Sequence, residues 1–160
     1  MDAGSGSGRD SFFFAENGRV VSGIDISEVG VEKAKARATE KGLDIDFRVG
    51  GLEQIDFPDN HFDAVYSGYT LQETDISRSI PELARVLKSG QVAYIAMFES
   101  TKYDPPTEYD HELNHDEIIN IVKQDFEILK QATDEYEETD QHGKHKHKRL
   151  VLVCRKNLKG

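Results

Sequence analysis

The sequence predicts an α/β fold in which a doubly wound, mostly parallel sheet ends in an antiparallel pair of strands. Strand and helix signals alternate regularly along most of the 160 residues, which is the pattern of a parallel sheet covered by helices. A glycine-rich turn over residues 4–8 is followed by a short helix and by an apolar strand that ends in Asp25. Two further strands come last with no helical pattern between them, so they are expected to pair directly.

Helix and turn signals separate the predicted strands from one another. Ser27 is the expected N-cap of the longest helix, which Gly42 ends, and either Thr74 or Asp75 caps the following helix. Residues 88–90 are expected to turn the chain into the fifth strand. The predicted helices span 11–17, 27–41, 75–87 and 114–123, and the predicted strands after the glycine turn span 19–24, 44–49, 62–66, 92–98, 126–132 and 148–155.

Composition limits the classes of function. The chain is 37% hydrophobic and 31% charged, as in soluble proteins, and its length predicts a single domain over residues 1–160. No apolar run approaches the ~20 residues of a membrane span, and a net charge of −10 argues against nucleic-acid binding. Cys154 lies in an apolar run, so we expect a buried thiol rather than a nucleophile. One cysteine fits a reducing, cytoplasmic location.

Charge is distributed unevenly near the carboxyl end. Residues 99–140 contain 14 acidic and 3 basic side chains, whereas residues 144–159 contain 7 basic and no acidic ones. We expect a solvated acidic surface beside a basic edge strand, with the two partly neutralising each other. Steering of a charged substrate is the alternative.

The glycine turn has the physical properties of a nucleotide site. Glycines let backbone amides approach a ligand closely, and an acid at the end of the next strand can accept hydrogen bonds from a ribose diol. The spacing is G-x-G-x-G rather than the G-x-G-x-x-G of dinucleotide sites, which disfavours a nicotinamide-dependent oxidoreductase.

Four motifs in order resemble the class I S-adenosylmethionine-dependent methyltransferases of the small-molecule type. They are residues 4–9, 23–27, 57–65 and 83–90, and the resemblance covers nearly the whole chain. It implies a Rossmann-like sheet and an enzyme that transfers a methyl group from S-adenosyl-L-methionine to a small-molecule acceptor by in-line displacement. The partners it implies are a small molecule and no nucleic acid or membrane.

The resemblance also implies which residues hold the cofactor. Backbone groups near Gly4 and Gly6 would contact its amino-acid end, Asp25 its ribose hydroxyls, and Ile26 its adenine or ribose. Ser67 lies where the family's chain runs beside the methionine portion. The whole implied cofactor-binding set is Ala3, Gly4, Ser5, Gly6, Gly8, Asp25, Ile26, Gly51, Leu52 and Ser67.

The sequence departs from the family's adenine-binding motif at the end of the third strand. The family usually has Gly-Asp-Ala there, with the aspartate accepting from the adenine amine, whereas this chain has Gly50-Gly51-Leu52. Adenine recognition would then fall to backbone groups of Gly51 and Leu52, or to Glu53. Since a buried hydrogen bond is worth roughly 1–3 kcal/mol, we expect tenfold to hundredfold weaker cofactor binding.

The first strand is the second departure, since only Met1 precedes Asp2 where the family has about five apolar residues. The expectation favoured here is a start site placed too late, or a truncated product. There are two alternatives. Another segment or subunit takes the place of the first strand in the sheet, or the first strand is short and the pocket is poorly closed. A non-catalytic binding or oligomerisation module, which would form a homodimer, is therefore the second functional hypothesis.

Substrate-side residues are less specific. Tyr69 and Gln72 are the candidate catalytic residues, and Tyr66 and Thr70 accompany them after the fourth strand, where an aromatic face could attract a sulfonium. Packing is the equally weighted alternative for the two tyrosines. The loop after the fifth strand is a usual lid region, but a surface role is expected for its Tyr103, Tyr109, His111 and His115.

Three histidines near the carboxyl end suggest a metal site at first sight. His145 and His147 alternate along a predicted strand and would share a face. No carboxylate or cysteine joins them at metal-ligand spacing, and three lysines interleave with the histidines. We therefore expect a solvated hairpin around His142 and no metal.

Overall fold

The computed structural model describes residues 1–108 and 110–158. Its strands are β1 (Asp2–Ala3), β2 (Val21–Asp25), β3 (Ile45–Val49), β4 (Phe62–Gly68), β5 (Leu87–Asp104), β6 (His111–Glu112), β7 (Phe126–Asp140) and β8 (Gly143–Lys156). Its helices are α1 (Arg9–Glu16), α2 (Glu28–Lys41), α3 (Ile76–Val86) and α4 (His115–Asp125), with a 3₁₀ helix at Leu71–Glu73.

All of these strands join one mixed sheet. Its order is β3-β2-β1-β4-β5-β8-β7, with β6 pairing against β5. The strands from β3 to β5 run parallel, whereas β8 is antiparallel to both of its neighbours, β5 and β7. The predicted Rossmann-like α/β fold with a terminal antiparallel pair is confirmed.

The shortest strand occupies the centre of the sheet. In β1, Asp2 pairs with Gly23 of β2 on one side and with Tyr66 of β4 on the other. Ala3 is fully buried. Of the alternatives for the first strand, the structure therefore contains the short strand, and it leaves no gap between β2 and β4.

Helices cover both faces of the sheet through two separate hydrophobic clusters. The smaller cluster lies between α1, α2 and β3 and consists of Phe12, Val31, Ala34, Ala38 and Phe47. The larger cluster lies on the other face, where α3 and α4 pack on the central strands through Ile80, Leu83, Ile118 and Val122, among others.

Capping follows the sequence signals. The Ser27 hydroxyl accepts from Gly30 N at 3.1 Å and starts α2, while the Asp75 carboxylate accepts from Ser77 N at 3.0 Å and starts α3. The cap of α3 is thus Asp75 rather than Thr74. Within the described ranges, no helix is long and apolar enough to span a lipid bilayer.

The largest differences from the predicted boundaries lie in the second half of the chain. Strand β5 begins at Leu87 and therefore includes residues 88–90, which were predicted to form a turn. The strand is irregular there: its pairing with β4 shifts register between Phe62 and Ala64, and Gly90 has a φ of 75°. Strands β7 and β8 form one long hairpin joined at residues 141–142. Ion pairs across this hairpin stabilise strand segments that consist largely of polar residues. The spacing of apolar residues alone does not predict such strands.

Candidate functional site

The glycine turn connects β1 to α1 and is held against β2. The amides of Gly4 and Ser5 both donate to the Ile24 carbonyl oxygen, at 2.8 and 3.0 Å. Gly4, Gly6 and Gly8 have φ values of 84°, 51° and 87°, a region that favours glycine. The turn therefore keeps its backbone close to the end of β2.

The three glycines differ in what surrounds them. A methyl group added to Gly4 would overlap the side chain of Thr70, and one added to Gly8 would lie 2.8 Å from the ring of Phe12. At Gly6 an added methyl group would meet no protein atom within 4 Å. Gly4 and Gly8 are thus required by packing, whereas Gly6 faces open space that a ligand can fill.

Asp25 faces this open part of the turn. Its Oδ2 atom accepts from Gly6 N at 2.7 Å, and its Oδ1 atom accepts from Ser27 N at 2.8 Å. A carboxylate offers about four acceptor positions, so Asp25 retains capacity for ligand hydroxyls. The same side chain therefore fastens the glycine turn and presents an acceptor beside it.

The end of β3 lies next to Asp25, because Gly50 N donates to the Asp25 carbonyl oxygen at 2.9 Å. The Leu52 side chain is buried in the larger core cluster, so only its backbone can face a ligand. A methyl group on Gly51 would lie 3.1 Å from Glu53 Oε2. Ile26 is 80% exposed, so its side chain is accessible to a ligand.

Three predicted site residues contain buried polar atoms without a hydrogen-bond partner in the described part of the chain. These atoms are Ser5 Oγ, Ser67 Oγ and Gln72 Oε1. An unsatisfied buried polar group costs roughly 1–3 kcal/mol. Ser5 Oγ lies beside Gly23, whereas Ser67 lies near the end of β4 and Gln72 belongs to the 3₁₀ helix that follows, so the three atoms do not form one group.

The two candidate catalytic residues contact each other after β4. Gln72 Nε2 donates to the Tyr69 carbonyl oxygen at 2.7 Å, and the Tyr69 hydroxyl accepts from Arg149 at 3.1 Å. The Tyr69 ring stacks on Phe98 with centroids 4.7 Å apart. Tyr69 has a φ of 58°, a conformation that is uncommon outside glycine and clusters at functional sites. Several contacts therefore hold Tyr69 in one strained conformation.

Tyr66 does not belong to this group. It lies within β4, its ring is parallel to Tyr94 at 5.3 Å, and its hydroxyl donates to Asp10 Oδ2 at 3.2 Å. Burial and the nearby Asp10 raise the pKa of the Tyr66 phenol well above its usual value. The packing alternative is correct for Tyr66, while Thr70 packs against Gly4.

The predicted lid residues are dispersed. Tyr103 belongs to β5 and His111 to β6, His115 begins α4, and Tyr109 lies outside the described residues. His115 Nδ1 pairs with the buried Glu99, which also pairs with Lys148 at 3.0 Å. Sequence reasoning missed Glu99, because the predicted strand ends at residue 98 and an isolated acid after it gives no signal of burial.

The expectation of solvated histidines is wrong for two of the three. His145 is 2% exposed and His147 is 6% exposed. Both contact Glu138 across the β7–β8 hairpin. The hairpin was predicted too short to include Glu138, so this carboxylate was overlooked.

Two cavities lie elsewhere in the protein. One of about 490 Å³ is lined by residues 54–57 and by Glu82 and Arg85, and the other, of about 970 Å³, lies between α1 and β4. Neither is lined by any predicted cofactor-binding residue. The glycine turn and Asp25 lie at the carboxyl ends of β1 and β2, apart from both of these cavities.

Comparison with known proteins identifies the family. The family model described as "Methyltransferase domain" matches residues 1–95, which include the glycine turn, Asp25 and Tyr69. The chain belongs to the class I S-adenosylmethionine-dependent methyltransferase family. The resemblance of its four motifs to that family is thereby confirmed.

Individual relatives agree with this assignment. This methyltransferase chain is 33% identical over 90 residues to the uncharacterized methyltransferase YcgJ of Bacillus subtilis, an alignment that covers 55% of this chain and 36% of the relative. It is 36% identical over 93 residues to a ubiquinone biosynthesis O-methyltransferase of Paramagnetospirillum magneticum, covering 58% and 37%. The alignments thus span little more than a third of these curated relatives.

A solved structure matches over almost the full chain. A SAM-dependent methyltransferase from Methanosarcina mazei superposes with a TM-score of 0.80 at 26% identity, covering 99% of this chain and 92% of that one. The arrangement of strands and helices is therefore shared with an S-adenosylmethionine-dependent enzyme.

Proposed function

We propose that this methyltransferase binds S-adenosylmethionine in the cleft between the glycine turn, the ends of β2 and β3 and the segment after β4. The observation that carries the proposal is the Asp25 carboxylate bonded to Gly6 N at 2.7 Å, beside a glycine with open space over it. When bound, the cofactor supplies an electrophilic methyl carbon on a sulfonium. The proposed contacts are Ala3, Gly4, Ser5, Gly6, Asp25, Ile26, Gly51, Leu52 and Ser67, with Gly8 acting through the packing of α1.

The chain's own residues would bind and orient the reactants. Asp25 would accept from the ribose hydroxyls, and a charge-assisted hydrogen bond of this kind is worth roughly 1.5–3 kcal/mol. Ser67, whose buried hydroxyl has no partner in the described part of the chain, would find one on the ligand. Tyr69 and Gln72 would lie on the acceptor side, where their mutual contact fixes the geometry that in-line displacement requires.

A small-molecule acceptor is the second part of the proposal. The net charge of −10 disfavours a nucleic-acid substrate. One relative is named as a ubiquinone biosynthesis O-methyltransferase, which indicates that this family includes small-molecule enzymes. Tyr69, with its hydroxyl bonded to Arg149, offers a polar aromatic contact for such an acceptor.

Calorimetric titration with S-adenosylhomocysteine tests cofactor binding. We expect the wild-type chain to bind it, Asp25→Asn to bind about tenfold to hundredfold more weakly, and Asp44→Asn, a change at an exposed position, to bind like wild type. No heat and no thermal shift at millimolar ligand, or equal affinity in both variants, would end the proposal.

Turnover is tested separately. The protein would be incubated with S-adenosylmethionine and panels of phenols, hydroquinones, amines and thiols, and S-adenosylhomocysteine would be measured by mass spectrometry. Formation above the acceptor-free rate supports small-molecule methylation. Cofactor binding without such formation on any panel would contradict the acceptor class while leaving the binding site standing.

A further inference from the structure

Two buried histidines and one carboxylate meet on one face of the β7–β8 hairpin. His145 lies opposite Glu138 across the hairpin, and His147 follows two residues later on the same strand. Glu138 Oε1 lies 3.2 Å from His145 Nε2 and 3.0 Å from His147 Nε2. The three ligand atoms lie within 4.8 Å of one another. Both rings thus direct their Nε2 atoms at the Oε1 atom of Glu138.

The separations match those between ligands of a tetrahedral ion. With Zn–N and Zn–O distances of roughly 2.0–2.1 Å, neighbouring ligand atoms of a tetrahedral zinc lie about 3.4 Å apart. The two N–O separations are within a few tenths of an ångström of that value, and the two histidine nitrogens lie no more than 4.8 Å apart. Small side-chain adjustments would therefore place an ion among the three atoms.

The other ring nitrogens fix the histidines in the way that metal ligands require. His145 Nδ1 contacts the Gly143 carbonyl oxygen at 3.2 Å, and because a carbonyl only accepts, this nitrogen carries the hydrogen. With a hydrogen on Nδ1, the Nε2 atom is the one that can bind a cation shared with the Glu138 carboxylate.

His147 has the corresponding second contact. Its Nδ1 atom lies 2.9 Å from the Thr101 hydroxyl on β5. Metal-binding histidines almost always use their second nitrogen in such a bond, which orients the ring. The β5 strand thus supports the cluster from the opposite side of β8.

Aromatic rings hold both imidazoles in place. Tyr103 lies over His145 with centroids 4.4 Å apart, and Phe98 stacks on His147 at 4.1 Å. Glu138 keeps a side-chain exposure of 51%. The two nitrogen ligands are therefore rigid and buried, while the carboxylate side leaves access for an ion and for a water molecule as fourth ligand.

The interleaved lysines do not oppose a cation here. Lys144, Lys146 and Lys148 alternate with the histidines and so point to the other face of β8. The first two pair with Glu137, at 2.7 and 2.9 Å, and Lys148 pairs with Glu99 at 3.0 Å. Their charges are thus directed away from the cluster and are compensated on the opposite face.

We propose that Glu138, His145 and His147 bind one divalent zinc-class ion. Two imidazoles and one carboxylate suit zinc, whereas magnesium and calcium prefer all-oxygen sites. The ion would cross-link β7 to β8. It would also lie near the candidate catalytic residue Tyr69, because the Phe98 ring stacks on His147 on one side and on Tyr69 on the other.

Zinc titration of the full chain, freed of any affinity tag and treated with a chelator, tests this site. Competition against a chromophoric chelator is expected to give one zinc ion per chain, with a rise in melting temperature. Substitution by Co²⁺ is expected to give the visible absorption of a tetrahedral ion. Binding of no zinc by the wild-type chain at stoichiometric concentrations would overturn the proposal.

Variants locate the ion. His147→Ala and Glu138→Gln are each expected to weaken zinc binding more than about tenfold, while His142→Ala, a histidine of the same hairpin, leaves it unchanged. Glu138→Gln changes a half-exposed side chain and keeps the protein folded if His147→Ala does not. Unchanged zinc affinity in Glu138→Gln and in any folded histidine variant would overturn the assignment. S-adenosylhomocysteine titration stays an independent readout of the cofactor site.

Discussion

Replacing Gly6 with alanine inserts a methyl group into the proposed cleft without striking the protein itself. Gly6 has a φ of 51° and no atom lies within 4 Å of the added carbon. The cost to folding is therefore only that of a left-handed non-glycine residue, about 1 kcal/mol. For a chain of this length that lowers the melting temperature by roughly 2–4 °C.

Gly42→Ala is the matched control for this strain. Gly42 follows α2, has a φ of 64° and also has no atom within 4 Å of an added methyl carbon. Calorimetry is expected to give both variants the same loss of stability. Titration with S-adenosylhomocysteine is expected to give Gly6→Ala more than about tenfold weaker binding, equal to at least 1.4 kcal/mol, and Gly42→Ala the wild-type affinity. Equal affinities would refute the reasoning.

Three further predictions concern stability and reactivity. Asn114 caps α4, and Asn114→Ala removes the side-chain oxygen that accepts from Glu117 N at 3.1 Å. Urea titration is expected to show an unfolding free energy about 1 kcal/mol lower, whereas Asn114→Asp retains an acceptor and the wild-type stability. Burial raises the pKa of the Cys154 thiol to about 12, so at pH 8 an aromatic disulfide reagent should react with unfolded but not native protein; fast native reaction would contradict this. Arg85 lowers the pKa of Glu82. Arg85→Met is therefore expected to lower the unfolding free energy by about 2 kcal/mol at pH 7, and this loss should shrink as the pH falls through the lowered pKa and Glu82 becomes protonated. A loss of unfolding free energy that grows in acid would contradict the prediction.

The parts of the fold predicted from sequence are those with local signals. Gly4–Gly8, the Ser27 cap and Gly42 each act within a few residues of their own position, and the structure contains the turn, the cap and the helix end that they predict. The length of the β7–β8 hairpin was not predictable in this way. Its outer half is stabilised by cross-strand pairs such as Glu137 with Lys144, and such pairs appear only when the register is known.

The same limit applies to the candidate sites. Asp25 and Gly6 could be assigned because a motif places them in sequence, and the structure brings them within 2.7 Å. Tyr66 and Tyr69 look alike in sequence, and their roles differ because β4 ends at Gly68. Tyr66 lies within the strand and packs on Tyr94, whereas Tyr69 follows the strand and lies beside the proposed cleft. Glu138 meets His147 through a register that no local pattern specifies.

Backbone amide chemical shifts during S-adenosylhomocysteine titration test most directly where the cofactor binds. Binding at the proposed cleft predicts that the largest changes fall on residues 4–6, 25–26, 50–52 and 67–69, with the amide of Gly6 among them because it is bonded to Asp25. Changes concentrated on other residues, or none at saturating ligand, would contradict the proposed site.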